Sequence, residues 1–413
     1  MRFTTLFIFT RLLGLALGQA TIINGEVESD VVVPNSYIVA YKSSATPSNK
    51  KKHEETITKK AKSKGKEGVI DNIDLGGFKG YVAEMSSSEL KDVVHSELVA
   101  YIEKDTILNL TAVASPLLGP FTKRAYTYQR QAPWGLASIS HLPAEYGLDT
   151  SYYYDATAGA GANVYIIDSG IRLTHSEFSG GRAVWGANFI KGSPNTDEFG
   201  HGTHVAGVIG GKTYGVAKKC KMIAVKVVDE DGYSSMSISL QGLQWAVNHA
   251  KAKGIAKKAV VNMSLGGPYS DIINDAIKAA TKAGLTVVVA AGNQGMDASG
   301  FSPSSAPSAI TVGAVDSDGY RTSWSNYGQL VDIFAPGSGI LSSWHLSDSS
   351  SRYLSGTSMA APHVAGLAAY FISKEGIQGS AAVTKRILGA AVEDEVSEPN
   401  GSNNRLAYNA GGA

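Results

Sequence analysis

Four residues in three short blocks of the sequence have the side chains that nucleophilic acyl transfer requires. Asp168 follows an apolar run, His201 and His204 lie in a glycine-rich block, and Ser358 begins an alanine-rich stretch. A serine hydroxyl is a weak nucleophile until a base takes its proton and a carboxylate orients that base. An acid, a base and a hydroxyl in this order predict a hydrolase in which Asp168 orients the base and Ser358 attacks the substrate.

The identity of the base stays open on spacing alone. His201 stands at the expected start of a helix beside a cleft, and this accessibility favours it over His204, which lies one turn further in. Two histidines three residues apart also suit a zinc site. No glutamate lies between them and the sequence offers no clear third ligand, so zinc is disfavoured.

The positions of Ser358 and Asn293 favour stabilisation of negative charge in a reaction intermediate. Ser358 is placed at a helix N-terminus, where backbone N–H groups and the helix dipole favour an oxyanion. Asn293 follows an apolar strand and offers a side-chain amide donor. Taken singly, these residues are more often helix caps or turn residues. Their joint presence at strand ends favours a catalytic site.

The elements expected to position these residues alternate between short apolar strands and helices from Pro133 onward. Such alternation predicts a parallel sheet covered on both faces, with ligands beyond the carboxyl ends of the strands. Asp168 directly follows one strand, and Asn293 lies two residues beyond another. The expected strands are 163–167, 222–228, 259–263, 286–291 and 310–315, and the expected helices are 201–211, 235–253, 270–283 and 357–373.

The N-terminal part predicts a separate, smaller α+β domain. Strands are expected at 36–41, 80–85 and 99–103, and a lysine-rich helix follows the first. The segment 86–89 reads as a capping box that starts a second helix. No regular pattern of strands or helices is evident from about 106 to 131. The dibasic pair Lys123-Arg124 in this segment suits proteolytic cleavage.

Composition narrows the class of protein. The chain has 413 residues, a formal net charge of +1 and 43% hydrophobic residues. These values fit a globular protein with more than one domain and give no reason to expect nucleic-acid or membrane binding. Residues 1–20 read as a secretory signal that is too short for a membrane anchor. Cys220 is the only cysteine, so no intramolecular disulfide is possible, and it reads as a buried structural thiol.

The three blocks resemble those of the subtilisin family, and the stretch from Pro133 to Tyr408 is similar to its proteinase K branch. Within that branch the likeness is to fungal alkaline proteases of the oryzin and cuticle-degrading type. Residues 34–105 resemble the family's inhibitory propeptide. The resemblance implies a subtilisin-like, mainly parallel sheet with helices on both faces, preceded by a small ferredoxin-like propeptide domain, and it assigns the base to His201. The further matching motifs are 132–136, 226–229, 262–267 and 334–337.

The resemblance also implies binding sites. A calcium site would use the carbonyl oxygens of Pro307 and Ala309 and the carboxylate of Asp332, which are ligand types that calcium accepts. No catalytic cofactor is expected. The specificity pocket is implied to be small and uncharged, which favours apolar or aromatic substrate side chains over basic ones. The implied substrate-binding residues are Gly232, Tyr233, Ser234, Ser264, Leu265, Gly266, Ala290, Ala291 and Gly292.

The expected protein is a secreted, monomeric serine endopeptidase made as a precursor. The signal is expected at 1–20, the propeptide at 21–124 and the peptidase domain at 125–413, with a mature N-terminus between Ala125 and Gln131. The linker looks longer than in oryzin-like precursors. Asn109 and Asn400 are candidate glycosylation sites. A degenerate binding protein on the same fold and an esterase or lipase are the alternatives, and the latter lacks a Gly-x-Ser-x-Gly sequence at Ser358.

Overall fold

The computed structural model describes residues 19–110, 113–114, 127–142 and 150–411, which form two compact units. The first unit contains the described residues up to Ile107 together with Ser235–Ser237 and Ser270–Ile272; the second contains the remainder from Leu108. Most of the expected signal segment and the dibasic pair lie outside the described residues. Within the described ranges, no helix is both long and apolar enough to cross a membrane.

The first unit is a mainly antiparallel sheet with two helices, in the chain order of a ferredoxin-like domain. The main strands and helices follow one another as β-α-β-β-α-β, which is that pattern. Ile57 and Val93, one from each helix, join Val39, Tyr81 and Ile102 of the sheet in one core, so both helices cover the same face. The sheet order is β1-β5-β2-β4-β3, with β1 Thr21–Ile22, β2 Val32–Tyr41, β3 Gly68–Asp74, β4 Lys79–Glu84 and β5 Val99–Asn109.

The two helices of this unit begin where local chemistry favours a start. Helix α1, Pro47–Lys62, has proline at its first position and a Thr46 side chain that accepts a hydrogen bond from the Asn49 amide. Helix α2, Ser87–Val94, begins at the expected capping box, in which Ser86 and Glu89 satisfy each other's backbone N–H groups. The lysine-rich helix and the capped helix are therefore both confirmed.

The second unit is built on a nine-stranded sheet in the order β10-β11-β9-β13-β15-β17-β18-β22-β21. The central pairs are parallel, with Ile166 beside Asn262 and Val288 beside Ile310, as the alternation of strands and helices predicts. Its strands are β9 Asn163–Asp168, β10 Ala183–Asn188, β11 Lys221–Lys226, β13 Ala259–Met263, β15 Thr286–Ala290, β17 Ile310–Val315, β18 Ile333–Pro336, β21 Val392–Glu393 and β22 Arg405–Leu406.

Helices cover both faces of this sheet. Side chains alternate along a strand, so Ile166 joins the core formed with α4 and α7, whereas Tyr165 faces the other side and contacts Trp245 of α5. This arrangement confirms the expected fold class. The helices are α3 Trp134–Ser138, α4 His201–Gly210, α5 Met236–Ala252, α6 Asp271–Lys282, α7 Thr357–Glu375 and α8 Ser380–Ala390.

The remaining short strands pair outside the main sheet. Strand β6, Val113–Ala114, pairs antiparallel with β20, and β7 pairs antiparallel with β8. The remaining bounds are β7 Tyr128–Gln129, β8 Tyr152–Tyr153, β12 Tyr233–Ser235, β14 Gly267–Pro268, β16 Phe301–Ser302, β19 Ile340–Ser343 and β20 Ser351–Ser355.

Candidate active site

Asp168 and His201 form a buried pair at the carboxyl edge of the sheet. Asp168 is the last residue of β9 and His201 is the first residue of α4, and both are fully buried. The His201 Nδ1 donates to the two carboxylate oxygens of Asp168 at 2.9 and 3.0 Å. With Nδ1 donating to Asp168, the neutral ring carries a lone pair on Nε2, the state that a general base requires.

Gly202 allows the helix to start this close to the strand end. A Cβ atom at position 202 would lie 2.1 Å from the Gly170 carbonyl oxygen and 3.1 Å from Asp168 Oδ1. Any larger residue would push α4 away from β9 and lengthen the bond between His201 and Asp168. The glycine after His201 in the sequence block therefore has a packing reason.

Asp197 is a buried carboxylate beneath this pair that the sequence analysis missed. Its Oδ1 accepts hydrogen bonds from Ser169 Oγ at 2.8 Å and from the Gly200 amide at 2.7 Å. Its Oδ2 accepts from the amide and the hydroxyl of Thr203 at 2.8 and 2.6 Å. Asp197 thus ties the residue after Asp168 to the first turn of α4. It has no motif around it, and a single aspartate in a polar loop gives no sequence signal.

His204 has a different environment from His201. Its Nε2 donates to the carbonyl oxygens of Ile340 and Arg352, both at 3.0 Å. Burial lowers the pKa of His204 to about 3, so it is neutral at physiological pH. A nitrogen that donates to two carbonyls offers no lone pair to a metal or to a proton. The lone pair of the neutral ring is then on Nδ1, which is buried and has no hydrogen-bond partner among the described residues. His204 lacks the carboxylate partner that His201 has, and this disfavours it as the base.

Ser358 lies at the start of α7 and is buried. Its Oγ donates to the Ser264 carbonyl oxygen at 3.1 Å, and Ser264 Oγ donates in return to the Ser358 carbonyl oxygen at 2.9 Å. The His201 Nε2 is buried and has no hydrogen-bond partner among the described residues. The hydroxyl is thus turned away from the base, and a rotation about its side-chain bond must precede proton transfer to His201.

Asn293 is held in place by Thr357, the residue before Ser358. Its Oδ1 accepts hydrogen bonds from the Thr357 amide and hydroxyl, both at 2.8 Å, and Thr357 Oγ1 accepts from the Gly292 amide at 3.0 Å. Because Oδ1 is engaged in this way, the amide nitrogen is the donor that Asn293 offers elsewhere. The structure therefore brings the Asn293 side chain into contact with the residue directly before Ser358.

Asn326 supports the same loop and was also missed. It donates to the Ala291 carbonyl oxygen at 2.9 Å and accepts from the amides of Gln294 and Met296. Gly292, with φ of 103°, has a backbone conformation that favours glycine, and a Cβ atom there would lie 2.4 Å from Asn326. Asn326 and Gly292 together fix the turn that carries Asn293.

A pocket of about 340 Å³ opens beside Ser358. Five of the expected substrate-binding residues line it, and Ser264 contacts Ser358 as described above. Gly232, Tyr233 and Ser234 lie outside the pocket, and the Tyr233 side chain is half exposed. None of the described residues that line the pocket is charged. Its walls are Asn109, Leu265, Gly266, Gly267, Ala290, Ala291, Gly292, Gln294, Phe301, Ser302, Pro303, Ser304, Thr357 and Ser358.

The expected calcium ligands lie together at the starts of neighbouring strands. Pro307 and Ala309 precede β17, and Asp332, directly before β18, accepts a hydrogen bond from the Thr311 amide at 2.9 Å. Burial raises the pKa of Asp332 to about 6, and the nearby Ser308 hydroxyl is buried without a hydrogen-bond partner. A buried carboxylate is a ligand type that fits a hard cation. The described residues contain no cluster of three acidic, histidine or cysteine side chains suited to a metal, so carbonyl oxygens would supply most ligands.

Comparison with known proteins decides the family. Residues 159–408 match the Subtilase family, and residues 36–111 match Peptidase inhibitor I9. The chain belongs to the subtilase family. It is therefore a subtilisin-like serine protease that carries an inhibitor I9 domain ahead of its peptidase domain, and the expected family is confirmed.

Subtilases of fungi are similar over most of this chain. Subtilisin-like protease 2 of Pseudogymnoascus destructans is 48% identical over 84% of the chain and 81% of its own length. Alkaline protease 1 of Aspergillus clavatus is 43% identical over 92% of each chain. The cuticle-degrading serine protease of Arthrobotrys oligospora is 45% identical over 81% of this chain and 78% of its own.

A solved subtilase structure has the same fold. The crystal structure of a cold adapted subtilisin-like serine proteinase is 40% identical and superposes with a TM-score of 0.62. It covers 67% of this subtilase and 98% of its own chain. The likeness confirms the expected architecture.

Proposed function

We propose that this subtilase is a secreted serine endopeptidase that uses Asp168, His201 and Ser358 as its catalytic triad. The observation that carries the proposal is the buried bond from His201 Nδ1 to Asp168, which leaves Nε2 without a hydrogen-bond partner among the described residues. Asp168 orients the ring and stabilises the imidazolium that forms. His201 takes the proton of Ser358, which attacks the substrate carbonyl, and then gives it to the leaving amine.

Asn293 has the role of oxyanion donor in this proposal. Thr357 holds its Oδ1, so the amide nitrogen is the group of this side chain that can donate to the oxygen on which negative charge develops. The N-terminus of α7 adds favourable dipole charge at the same place. Both contributions act only once the tetrahedral intermediate forms, so they are expected to raise kcat more than they lower KM.

The variant Ser358→Ala tests the triad. We expect kcat to fall on the order of 10⁶-fold, the loss known for the corresponding change in a subtilisin. Ser349→Ala, which removes an exposed serine from a nearby loop, is the matched control and should keep full activity. A phosphonylating reagent for active serines should label the parent and not Ser358→Ala. Unchanged hydrolysis by Ser358→Ala would refute the proposal, and an unlabelled, inactive parent would instead favour a degenerate binding protein.

The lining of the pocket supports broad specificity with a preference for apolar or aromatic residues before the cleaved bond. The expected contacts are the small residues Ala290, Ala291 and Gly292, and the described residues that line the pocket include no carboxylate to pair with a basic side chain. The segments 264–266 and 232–234 would hold extended protein or peptide substrates as flanking strands. A peptide series that varies only this position should show higher kcat/KM for phenylalanine and leucine than for lysine or aspartate.

We propose a precursor with a signal at 1–20, a propeptide at 21–124 and a peptidase domain at 125–413 that works as a monomer. The I9 match supports the propeptide acting as an intramolecular inhibitor. Asn400 is exposed, whereas Asn262 is buried. Of these two sequons, we therefore expect glycosylation at Asn400 only. Mass spectrometry of the product in the culture medium, with and without glycosidase, tests both proposals. A product that retains residues 1–20 would contradict secretion by this signal.

Calcium is proposed as a structural ion bound by Pro307, Ala309 and Asp332, with no catalytic cofactor. A bound cation would compensate the buried charge of Asp332, whose pKa burial raises. Adding a chelator should shorten the half-life of the parent at elevated temperature and have a much smaller effect on Asp332→Asn. Equal chelator sensitivity of the two proteins would contradict this site.

A further inference from the structure

A fully buried lysine lies at the end of the strand next to Asp168. Lys226 is the last residue of β11, where it pairs in register with Asp168 of β9, and its side chain is inaccessible to solvent. Lysine is almost never fully buried unless its charge is paired. Lys226 also begins the motif 226–229, to which the catalytic steps assign no role. Its position beside the proposed catalytic carboxylate therefore needs a physical reason.

The Lys226 ammonium holds the residue that follows Asp168. Its Nζ donates to the Ser169 carbonyl oxygen at 2.8 Å. The Ser169 amide donates to Asp168 Oδ1 at 2.7 Å, and the Ser169 hydroxyl donates to Asp197 at 2.8 Å. The same hydroxyl oxygen accepts from the Gly202 amide at 2.9 Å. Ser169 thus links the carboxylate to the first turn of α4, and Lys226 fixes its carbonyl group.

Glu198 supplies a negative charge next to this lysine. Its Oε2 lies 3.6 Å from the Lys226 Nζ, a distance that makes an ion pair without a hydrogen bond. This oxygen is buried and has no hydrogen-bond partner among the described residues. Glu198 lies in the loop that leads into α4, three residues before His201, and its side chain is partly exposed. The pair therefore connects the end of β11 to the segment that carries the proposed base.

We propose that Lys226 is a positioning residue for Asp168 and that Glu198 sets the base strength of His201 by compensating the charge of Lys226. This inference rests on the proposed function, in which His201 is the base. Without Glu198, the positive charge of Lys226 disfavours protonation of His201. Without Lys226, the negative charge of Glu198 favours protonation of the same ring. Removal of either partner therefore changes the base in the opposite direction from removal of the other.

The other charged or titratable groups around His201 do not replace this pair. Burial lowers the pKa of His204 to about 3 and also lowers the pKa of His345, whose Nδ1 lies next to Gly200, so both rings are neutral near neutral pH. Arg172 is paired with Asp348. Lys226 is thus the fully buried cation of this set. The groups on the elements packed around His201 are Asp168, Arg172, Asp197, Glu198, His204, Lys226 and His345.

The main experiment measures kcat/KM against pH for the secreted, processed enzyme on a phenylalanine-containing peptide. The fall of kcat/KM at acid pH reports protonation of the base in the free enzyme. Glu198→Gln should move this fall to lower pH and Lys226→Met should move it to higher pH, each by about 0.5 pH unit or more, the size expected for one charge within about 10 Å. The double variant removes the whole pair, so its acid limb should lie between those of the two single variants.

The positioning role predicts an additional loss in Lys226→Met. This variant leaves the Ser169 carbonyl oxygen without the donor that fixes it, so kcat at the pH optimum should fall by about tenfold or more while KM changes little. Glu198→Gln keeps the ammonium group, so its loss of kcat should be smaller. Active sites are counted by phosphonylation, because a variant that merely folds poorly has fewer active sites and an unchanged kcat per site.

Glu395→Gln is the matched control. It removes the same charge from an exposed position just after β21, which ends the nine-stranded sheet on the side away from β11. Its pH profile should coincide with that of the parent. A second readout is the proton NMR signal of the His201 Nδ1–H group in a Ser358→Ala background. Its titration with pH should move in the same directions as kcat/KM, although no substrate is turned over.

The possible outcomes separate this inference from the proposed function. Profiles of Glu198→Gln and Lys226→Met that coincide with the parent, or that move in the same direction, overturn the inference. If Lys226→Met is not secreted, Glu198→Gln decides alone, and its acid limb must move to lower pH. Hydrolysis that depends on Ser358 but shows no such shifts overturns the inference only. Hydrolysis that persists in Ser358→Ala overturns the proposed function itself.

Discussion

Thr357 offers a sharp test of how the oxyanion donor is positioned. Its hydroxyl donates to Asn293 Oδ1 at 2.8 Å and accepts from the Gly292 amide at 3.0 Å. Thr357→Val keeps the shape of the side chain but removes both hydrogen bonds, and only the backbone N–H of residue 357 still holds Oδ1. The Asn293 amide would then sample orientations that do not face the oxyanion.

The size of the effect follows from the number of bonds lost. Each neutral hydrogen bond contributes about 0.5–1.5 kcal/mol, so the two together stabilise the observed position of the loop by about 1–3 kcal/mol. Since about 1.4 kcal/mol is tenfold in rate, kcat should fall by about 5- to 140-fold. The upper limit is the complete loss of the donor, roughly 10²–10³, a range that comes from a subtilisin. KM should change much less, because the donor acts mainly on the intermediate.

The assay measures kcat and KM on a phenylalanine-containing peptide, with active sites counted by phosphonylation. Thr357→Ser keeps the hydroxyl and should stay within about threefold of the parent, which is less than one lost hydrogen bond. Asn293→Ala combined with Thr357→Val should be no slower than Asn293→Ala alone, because Thr357 acts through Asn293. The reasoning is refuted if the effects of the two substitutions on kcat multiply, or if Thr357→Val is as active as Thr357→Ser.

Three further perturbations follow from buried contacts. Asp197→Asn places an amide NH₂ among groups that all donate hydrogen bonds. We therefore expect the melting temperature, measured by calorimetry, to fall by several degrees and kcat, measured by steady-state kinetics, to fall by about tenfold. Gly202→Ala should reduce kcat by more than about 10²-fold, since its Cβ forces α4 away from Asp168. Burial raises the pKa of Glu103 to about 7 in the folded first unit. The Glu103 side chain therefore contributes its full stabilisation below its pKa in the unfolded chain, and this contribution is lost as the pH rises from about 4.5 through 7. In a Ser358→Ala background, the stability of the parent relative to Glu103→Gln should fall by up to about 3 kcal/mol across that window, and a constant difference would contradict this assignment.

The strands and helices that carry the site were largely predictable from sequence. β13 and β17 have the expected bounds, because each is a mainly apolar run between polar segments. The start of helix α4 at His201, directly after Gly200, was also expected. By contrast, β3 was missed, since Asp71, Asn72 and Asp74 lie within it and a bulge breaks its alternation.

The supporting residues of the site were beyond sequence reasoning. Asp197 and Asn326 act through hydrogen bonds to segments far from them along the chain, which no local pattern reports. The Ser358 hydroxyl points toward the Ser264 carbonyl oxygen. This orientation depends on the side-chain rotamer, which a sequence motif does not determine. Asn109 reads as a glycosylation sequon, yet its backbone pairs with Gly266 in the cleft.

The hydrogen bonds between Thr357 and the loop that carries Asn293 couple specificity to turnover. Ala290, Ala291 and Gly292 line the pocket, and the Gly292 amide donates to Thr357 Oγ1, which also holds Asn293. A substitution that reshapes this wall for a new substrate side chain therefore also disturbs the proposed oxyanion donor. Engineering of the pocket is expected to trade substrate preference against kcat.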